Sequence, residues 1–179
     1  MTGLIYIPHI TMCMDEEYRD TSYIAGTPFI GATVRYYAAP GGTTRGAFTA
    51  WDPVARRAAW RITEDLPVWS GALATAGGVV FYGTMDGWFK AVDARTGALL
   101  WSRRLPSGVI GQPITFRGPD GRQYVAVYAG VGGWAGSIVS LGLDPRDLTA
   151  GNGWGGAMKD LPGRTQPGGA LHVFALPRP

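Results

Sequence analysis

The sequence predicts an all-β chain built of small repeated sheets, and three observations predict it. The segment FTAWDPVARRAAWRIT (48–63) returns as FKAVDARTGALLWSRR (89–104), with Ala50, Asp52 and Trp60 each 41 positions before Ala91, Asp93 and Trp101. Self-similarity at a period of about 40–50 residues marks sheets repeated around an axis. Glycine (28) and proline (13) abound while only 16% of residues are charged, and aromatic residues make up 12%. Many short strands need such corners, and aromatics fill the layers between sheets. Short apolar runs are also punctuated by turn dipeptides, Asp86-Gly87 and Thr96-Gly97 being the clearest. The fold class is therefore a partial β-propeller. The 179 residues suffice for about three four-stranded blades, where a closed ring takes roughly four to eight.

Strands are expected near 3–8, 29–37, 46–52, 57–63, 71–75, 78–84, 87–93 and 98–105, then near 111–116, 123–129, 136–141 and 170–176. GLIYIP (3–8) reads as a strand entered at once, as though the chain began in mid-domain. Asp15, Glu16 and Glu17 are expected in a solvated loop. Three adjacent carboxylates point different ways on an extended chain and lack the spaced pattern and turn glycine of a calcium loop. In each repeat the Ala-x-Asp strand leads through a turn to a strand carrying Trp60 or Trp101, placed to pack on the next blade. The first copy has Ala55-Arg56 where the second has Thr96-Gly97, a less favourable turn. Residues 142–169, polar and glycine-rich, are expected as a surface insertion that lines or covers something. No segment of helical period is long enough to matter. ALHVFALP (170–177) resembles WFKAVDA with Ala175 in the place of Ala91, and terminal strands that pair would remove an open sheet edge.

Composition excludes several functions. The net charge of +3 is scattered, and the local basic clusters RRAAWR (56–61) and WSRR (101–104) fall at strand ends. Without a basic stripe, nucleic acid is not an expected partner. No run of 18 apolar residues is present to span a membrane. The first residues lack the basic region, long apolar stretch and cleavage site of a signal peptide. His9 and His172 are isolated, without the partner spacing of a zinc site or a catalytic triad.

Several stretches together resemble one family. FTAWDP (48–53), the run from PVWSG to GALLW (67–101), GVIGQPITFRGPDGRQYVAVYAGVGGWAG (108–136) and LHVFAL (171–176) are similar to the C-terminal part of the quinoprotein alcohol dehydrogenases, eight-bladed propellers carrying pyrroloquinoline quinone (PQQ). HITMCMD (9–15) and SYIAGTPFIGATVRYYAAPGG (22–42) narrow the resemblance to the large subunit of methanol dehydrogenases, the lanthanide-dependent branch above all. It implies PQQ on the propeller axis against Ca²⁺ or a lanthanide that acts as a Lewis acid. It further implies hydride transfer from a small primary alcohol to PQQ, cytochrome c as electron acceptor, and a periplasmic location.

Residue by residue, PVWSG places Trp69 at the edge of the PQQ plane. GGWAG places Trp134 near the quinone, with Gly132 and Gly133 letting backbone approach the ligand. Core packing between blades is the competing role for both tryptophans. Their small neighbours suit a ligand wall better than a strand. The family's metal-binding carboxylates, its base and an arginine near the quinone match nothing here and lie in the missing N-terminal blades, so no catalytic and no metal residue is assigned. The chain is expected to be inactive alone. The resemblance also implies that Cys13 pairs with a cysteine further upstream, and a buried free thiol is the other reading. A non-catalytic propeller scaffold of the outer-membrane assembly lipoprotein type shares the Ala-x-Asp-x-x-Thr-Gly-x-x-x-Trp repeat, and PVWSG and GGWAG favour the enzyme over it.

Overall fold

A computed structural model of the chain describes residues 2–20, 22–27 and 29–176. Pro177, the last residue of the ALHVFALP match, lies outside them. The strands are β1 (Ile5–Ile10), β2 (Met12–Tyr18), β3 (Ala32–Ala38), β4 (Gly46–Asp52), β5 (Arg57–Glu64), β6 (Leu73–Ala74), β7 (Val79–Gly83), β8 (Trp88–Asp93), β9 (Leu99–Arg104), β10 (Ile114–Arg117), β11 (Gln123–Ala129) and β12 (Ala170–Ala175). They form a first sheet β1-β4-β5, a second β6-β7-β8-β9, a third β10-β11-β12 and the separate hairpin β2-β3. All pairs are antiparallel, as short Gly- and Pro-cornered strands allow.

The three sheets stack face to face, because each carries apolar side chains on the faces that meet a neighbour. Phe48 of the first sheet packs with Val80, Tyr82 and Val92 of the second, the Phe48 and Tyr82 rings stacked at 4.1 Å. On the opposite face of the second sheet, Phe89 packs with Val125 and Val127 of the third. Strand alternation puts Val92 and Phe89 of one strand into these two different cores.

The repeat read from the sequence is a structural repeat. Ala50 stands opposite Trp60, and Ala91 opposite Trp101, with a bulge after each alanine. Asp52 accepts the N–H groups of Val54 and Ala55 at 2.9 Å, and Asp93 those of Arg95 and Thr96 at 2.9 and 2.8 Å. Hydrogen bonds from Thr96 first, then Arg95, hold the Asp93 carboxyl below the usual carboxylate range. The less favourable first turn shows in the backbone. Arg56 takes φ +54°, where Gly97 of the second copy takes +73°. Both tryptophans dock forward: Trp60 onto Ala94 and Gly97 of the second sheet, Trp101 onto Phe174 of the third at 5.3 Å.

Three stacked sheets match the expected count of about three blades, but among the described residues only the second has all four strands. Since β4 and β5 match β8 and β9, β1 takes the place of β7, and no described strand stands on its free side. The third sheet is open at its outer edge, because β12 pairs with β11 and not with β1. Val173 and Ala175 share the face of β12 turned away from the second sheet, as Phe89 and Ala91 share the face of β8 turned toward the third. The Ala175 match therefore holds in facing, but Ala175 is exposed where Ala91 is buried.

Two local expectations fail and a third is refined, each for a physical reason. Residues 12–18, with the acidic run, form strand β2 instead of a loop. Pairing with β3 supplies the backbone partners, while Asp15, Glu16 and Glu17 stay exposed and Asp15 accepts the Tyr37 hydroxyl at 2.8 Å. Residues 136–141 are not a strand but contain α1 (Ser137–Ser140), closed by Ser140 N–H to Gly136 and Leu141 N–H to Ser137. The segment 142–169 is exposed at first, then carries α2 (Ala150–Ala157) and a 3₁₀ turn (Leu161–Gly163) whose apolar side chains are buried.

That segment is a cap. Leu66, Met85 and Val131, one from the end of each sheet, make a floor on which Ala135, Ile138, Trp154, Met158 and Leu161 pack. Polar anchors tie it down: Arg45 donates to both oxygens of Asp160 at 2.6 and 2.7 Å and to the Ala157 carbonyl. Arg164 donates to Asp65 at 2.8 Å, and the Ser107 hydroxyl to the Gln166 carbonyl at 2.7 Å.

Candidate functional site

Trp69 lies in the loop between β5 and β6, where apolar Leu66 and Val68 are buried and pull the chain inward. The Ser70 hydroxyl fixes the loop by donating to the Gly83 carbonyl at 2.9 Å and accepting the Gly83 N–H at 2.7 Å. Trp69 itself is half-buried and packs against the cap cluster. Trp134 follows β11 and precedes α1. It is 49% exposed, and its indole N–H donates to the Gly151 carbonyl at 2.9 Å. Gly133 sits at φ +61°, a backbone conformation suited to glycine, and a Cβ at either Gly132 or Gly133 would meet nothing within 4 Å. Open space therefore lies over bare backbone beside a half-exposed indole.

The structure joins the two predicted tryptophans through a third residue that sequence reading passed over. Trp154, only 4% exposed, stands edge-on to Trp69 at 5.3 Å and 79° and to Trp134 at 6.5 Å and 75°. Its other neighbour, Tyr36 of β3, stacks on it at 4.5 Å and 20°. The glycines of GNGWGG allow this depth. A Cβ at Gly153 would lie 2.4 Å from the Val34 carbonyl oxygen, and one at Gly155 would lie 1.9 Å from that of Asp147. Aromatic beside small residues is the signal that singled out GGWAG, and it was equally present here.

A flat, anionic quinone fits part of this wall. Indole planes and bare glycine backbone can line a flat ring system, since aromatic side chains bring large apolar area with defined geometry. The Trp134 indole N–H is already engaged by the Gly151 carbonyl, so what Trp134 offers a ligand is its ring. A metal ion finds no matching set: no group of three or more His, Cys, Asp or Glu side chains able to hold one is found among the described residues. His9 and His172 stay apart, each with Nε2 buried and unpartnered. Burial, then the charge of Arg61, lowers the His9 pKa. Cys13 is a free, half-buried thiol. A cavity of about 890 Å³ lies away from all three tryptophans, between β9, residues 162–166 and β12. No described helix is long and apolar enough to cross a membrane.

Antiparallel sheets stacked on one another, with a shared cap packed on their ends, define the chain as propeller-forming. It belongs to the family described as "PQQ: Glucose/ethanol/alcohol dehydrogenase, beta-propeller domain", which matches residues 35–125. The chain is 52% identical over 98% of its length to the lanthanide-dependent methanol dehydrogenase of Methylacidiphilum fumariolicum strain SolV, covering 29% of that protein. It is 48% identical over 97% of its length to methanol dehydrogenase [cytochrome c] subunit 1 of Paracoccus denitrificans, covering 27% of it. Among solved structures, a europium-containing methanol dehydrogenase superposes with a TM-score of 0.92 at 51% identity, covering 98% of this chain and 31% of that one. The chain thus spans less than a third of the length of these relatives.

Proposed function

We propose that this chain is the C-terminal portion of a PQQ-dependent alcohol dehydrogenase, the whole protein oxidising a primary alcohol such as methanol to its aldehyde in the periplasm and passing electrons to a cytochrome c. The convergence of Trp69 and Trp134 on Trp154, beside the bare backbone of Gly132 and Gly133, carries this reading. In it, Trp69, Trp134 and Gly133 form one wall of the cofactor site. Bound PQQ supplies the hydride acceptor, with Ca²⁺ or a lanthanide held by residues outside this chain. The chain's own contribution is geometric: the cap buries Trp154, Trp154 backs the two indoles, and the indoles exclude water from one side of the ring system. The similarity to relatives named methanol dehydrogenase runs through both stretches that carry the tryptophans.

Two measurements test it. Titrating PQQ into residues 1–179 should quench tryptophan fluorescence saturably. Trp69→Ala and Trp134→Ala should each weaken that binding by up to about tenfold, an aromatic contact being worth roughly 0.5–1.5 kcal/mol beyond burial. In dye-linked methanol oxidation with added PQQ and either Ca²⁺ or a lanthanide, the chain alone should show no turnover. Turnover above the blank, or PQQ binding indifferent to both substitutions, overturns the reading.

A further inference from the structure

We propose that Trp154 is the positioning residue for the site wall, setting the ring orientations of both Trp69 and Trp134; its consequence for PQQ rests on the reading above. The geometry carries it. Both indoles meet the Trp154 ring at close to a right angle, 79° and 75°, so one buried plane meets two rings from two separate loops. Trp154 is in turn held by the stacked Tyr36 ring and by Gly153 and Gly156, whose bare backbone lets its segment lie close on β3.

The lead-in to Trp154 is shaped for the same purpose. Gly151, Asn152 and Gly153 are all left-handed, at φ +60°, +56° and +94°. Asn152 is one of only two described non-glycine residues with positive φ. Such backbone persists where the surroundings over-determine it. Here the turn presents the Gly151 carbonyl to the Trp134 indole and sends Trp154 into the core within three residues. A single short segment therefore holds Trp134 twice, by a hydrogen bond and by an aromatic edge. Trp154 reaches no ligand itself; it is 4% exposed and its Nε1 is buried without a partner.

The test separates ring from N–H and orientation from stability. Trp154→Phe keeps an aromatic plane and removes the orphan donor, whereas Trp154→Leu removes the plane; Trp154→Met, which fills irregular gaps, serves if the leucine variant fails to fold. Each is studied as the full chain at a temperature where circular dichroism shows it folded. Indole cross-peaks in ¹⁵N–¹H spectra, assigned with Trp69→Phe and Trp134→Phe, report the two rings directly. Both peaks should shift or broaden in the aliphatic variant and stay near their wild-type positions in Trp154→Phe. Unmoved peaks in a folded aliphatic variant overturn the proposal, whatever PQQ does. In parallel, PQQ affinity should fall about tenfold in the aliphatic variant and recover in Trp154→Phe. Moved peaks in a chain whose wild type binds no PQQ support the positioning role and refute the cofactor reading.

Discussion

The indole N–H of Trp60 reaches the Ala94 carbonyl at 3.2 Å and so fastens the first sheet to the second. The same carbonyl accepts the Tyr6 hydroxyl at 3.0 Å, and the Tyr6 and Trp60 rings lie 5.9 Å apart. Trp60→Phe keeps most of the ring contact and loses the hydrogen bond, so it should cost about 0.5–1.5 kcal/mol. Trp60→Ala should cost about 3–5 kcal/mol. Denaturant unfolding of the two variants checks the difference, and equal losses would mean that the ring packing contributes nothing beyond the bond.

Arg56 and Gly97 occupy equivalent turn positions with opposite tolerance. Arg56→Gly should stabilise by up to about 1 kcal/mol, because it relieves a left-handed residue at some cost in unfolded-state freedom. Gly97→Ala should destabilise by more than that. Its φ is +73°, and the new Cβ would sit 2.8 Å from the Trp60 ring. Thermal midpoints moving in opposite directions for the two substitutions is the expected outcome.

Acid should loosen the cap. Burial, the largest influence on Asp160, opposes ionisation, but the hydrogen bonds and charge of Arg45, with the charge of Arg164, outweigh it and hold the carboxyl below its usual range. A depressed carboxylate pKa contributes stability that is complete above the unfolded value, near 3.9, and is lost as pH falls through the folded one. Stability of the wild type should therefore fall more steeply below about pH 4 than that of Asp160→Asn, whose loss is already present at neutral pH. Other carboxylates titrate in the same window, so the difference between the two profiles is the quantity to measure.

The outer face of the third sheet should drive self-association of the isolated chain. Ile114, Tyr128, Leu171 and Val173 share that face through their cross-strand pairing and are 56, 52, 65 and 48% exposed. An apolar patch beside the open edge of β12 favours pairing with a second chain. Light scattering should show a mass that rises with concentration in the wild type and less so in a Leu171→Lys, Val173→Lys double variant. Monomer at all concentrations in the wild type would contradict this.

Much of the sheet architecture was legible because strand pairing leaves a local record. The Ala-x-Asp turn and the bulge recur at one spacing because pairing within each sheet sets them, and the Trp recurs with them because it stands opposite that alanine. Trp69 and Trp134 were legible as unusual, being large aromatics among small residues. Strand β2 was not, because its acidic residues are tolerated only where pairing with β3 leaves their side chains in water.

The sequence by itself determined the fold class, the repeat, the forward docking of Trp60 and Trp101, and the family. Only the tertiary structure decided that the glycine-rich stretch after Trp134 is a cap. Its glycines read as a surface insertion lining or covering something, but what it covers is visible only in the fold, where Gly153 lies against the Val34 carbonyl of β3 and Gly155 against that of Asp147. The same holds for Trp154. Its buried contacts come from Trp69, Trp134 and Tyr36, residues 85, 20 and 118 positions away in the sequence. Contacts at such separations leave no periodicity in the chain, because they are set by how sheets stack and not by any local backbone geometry.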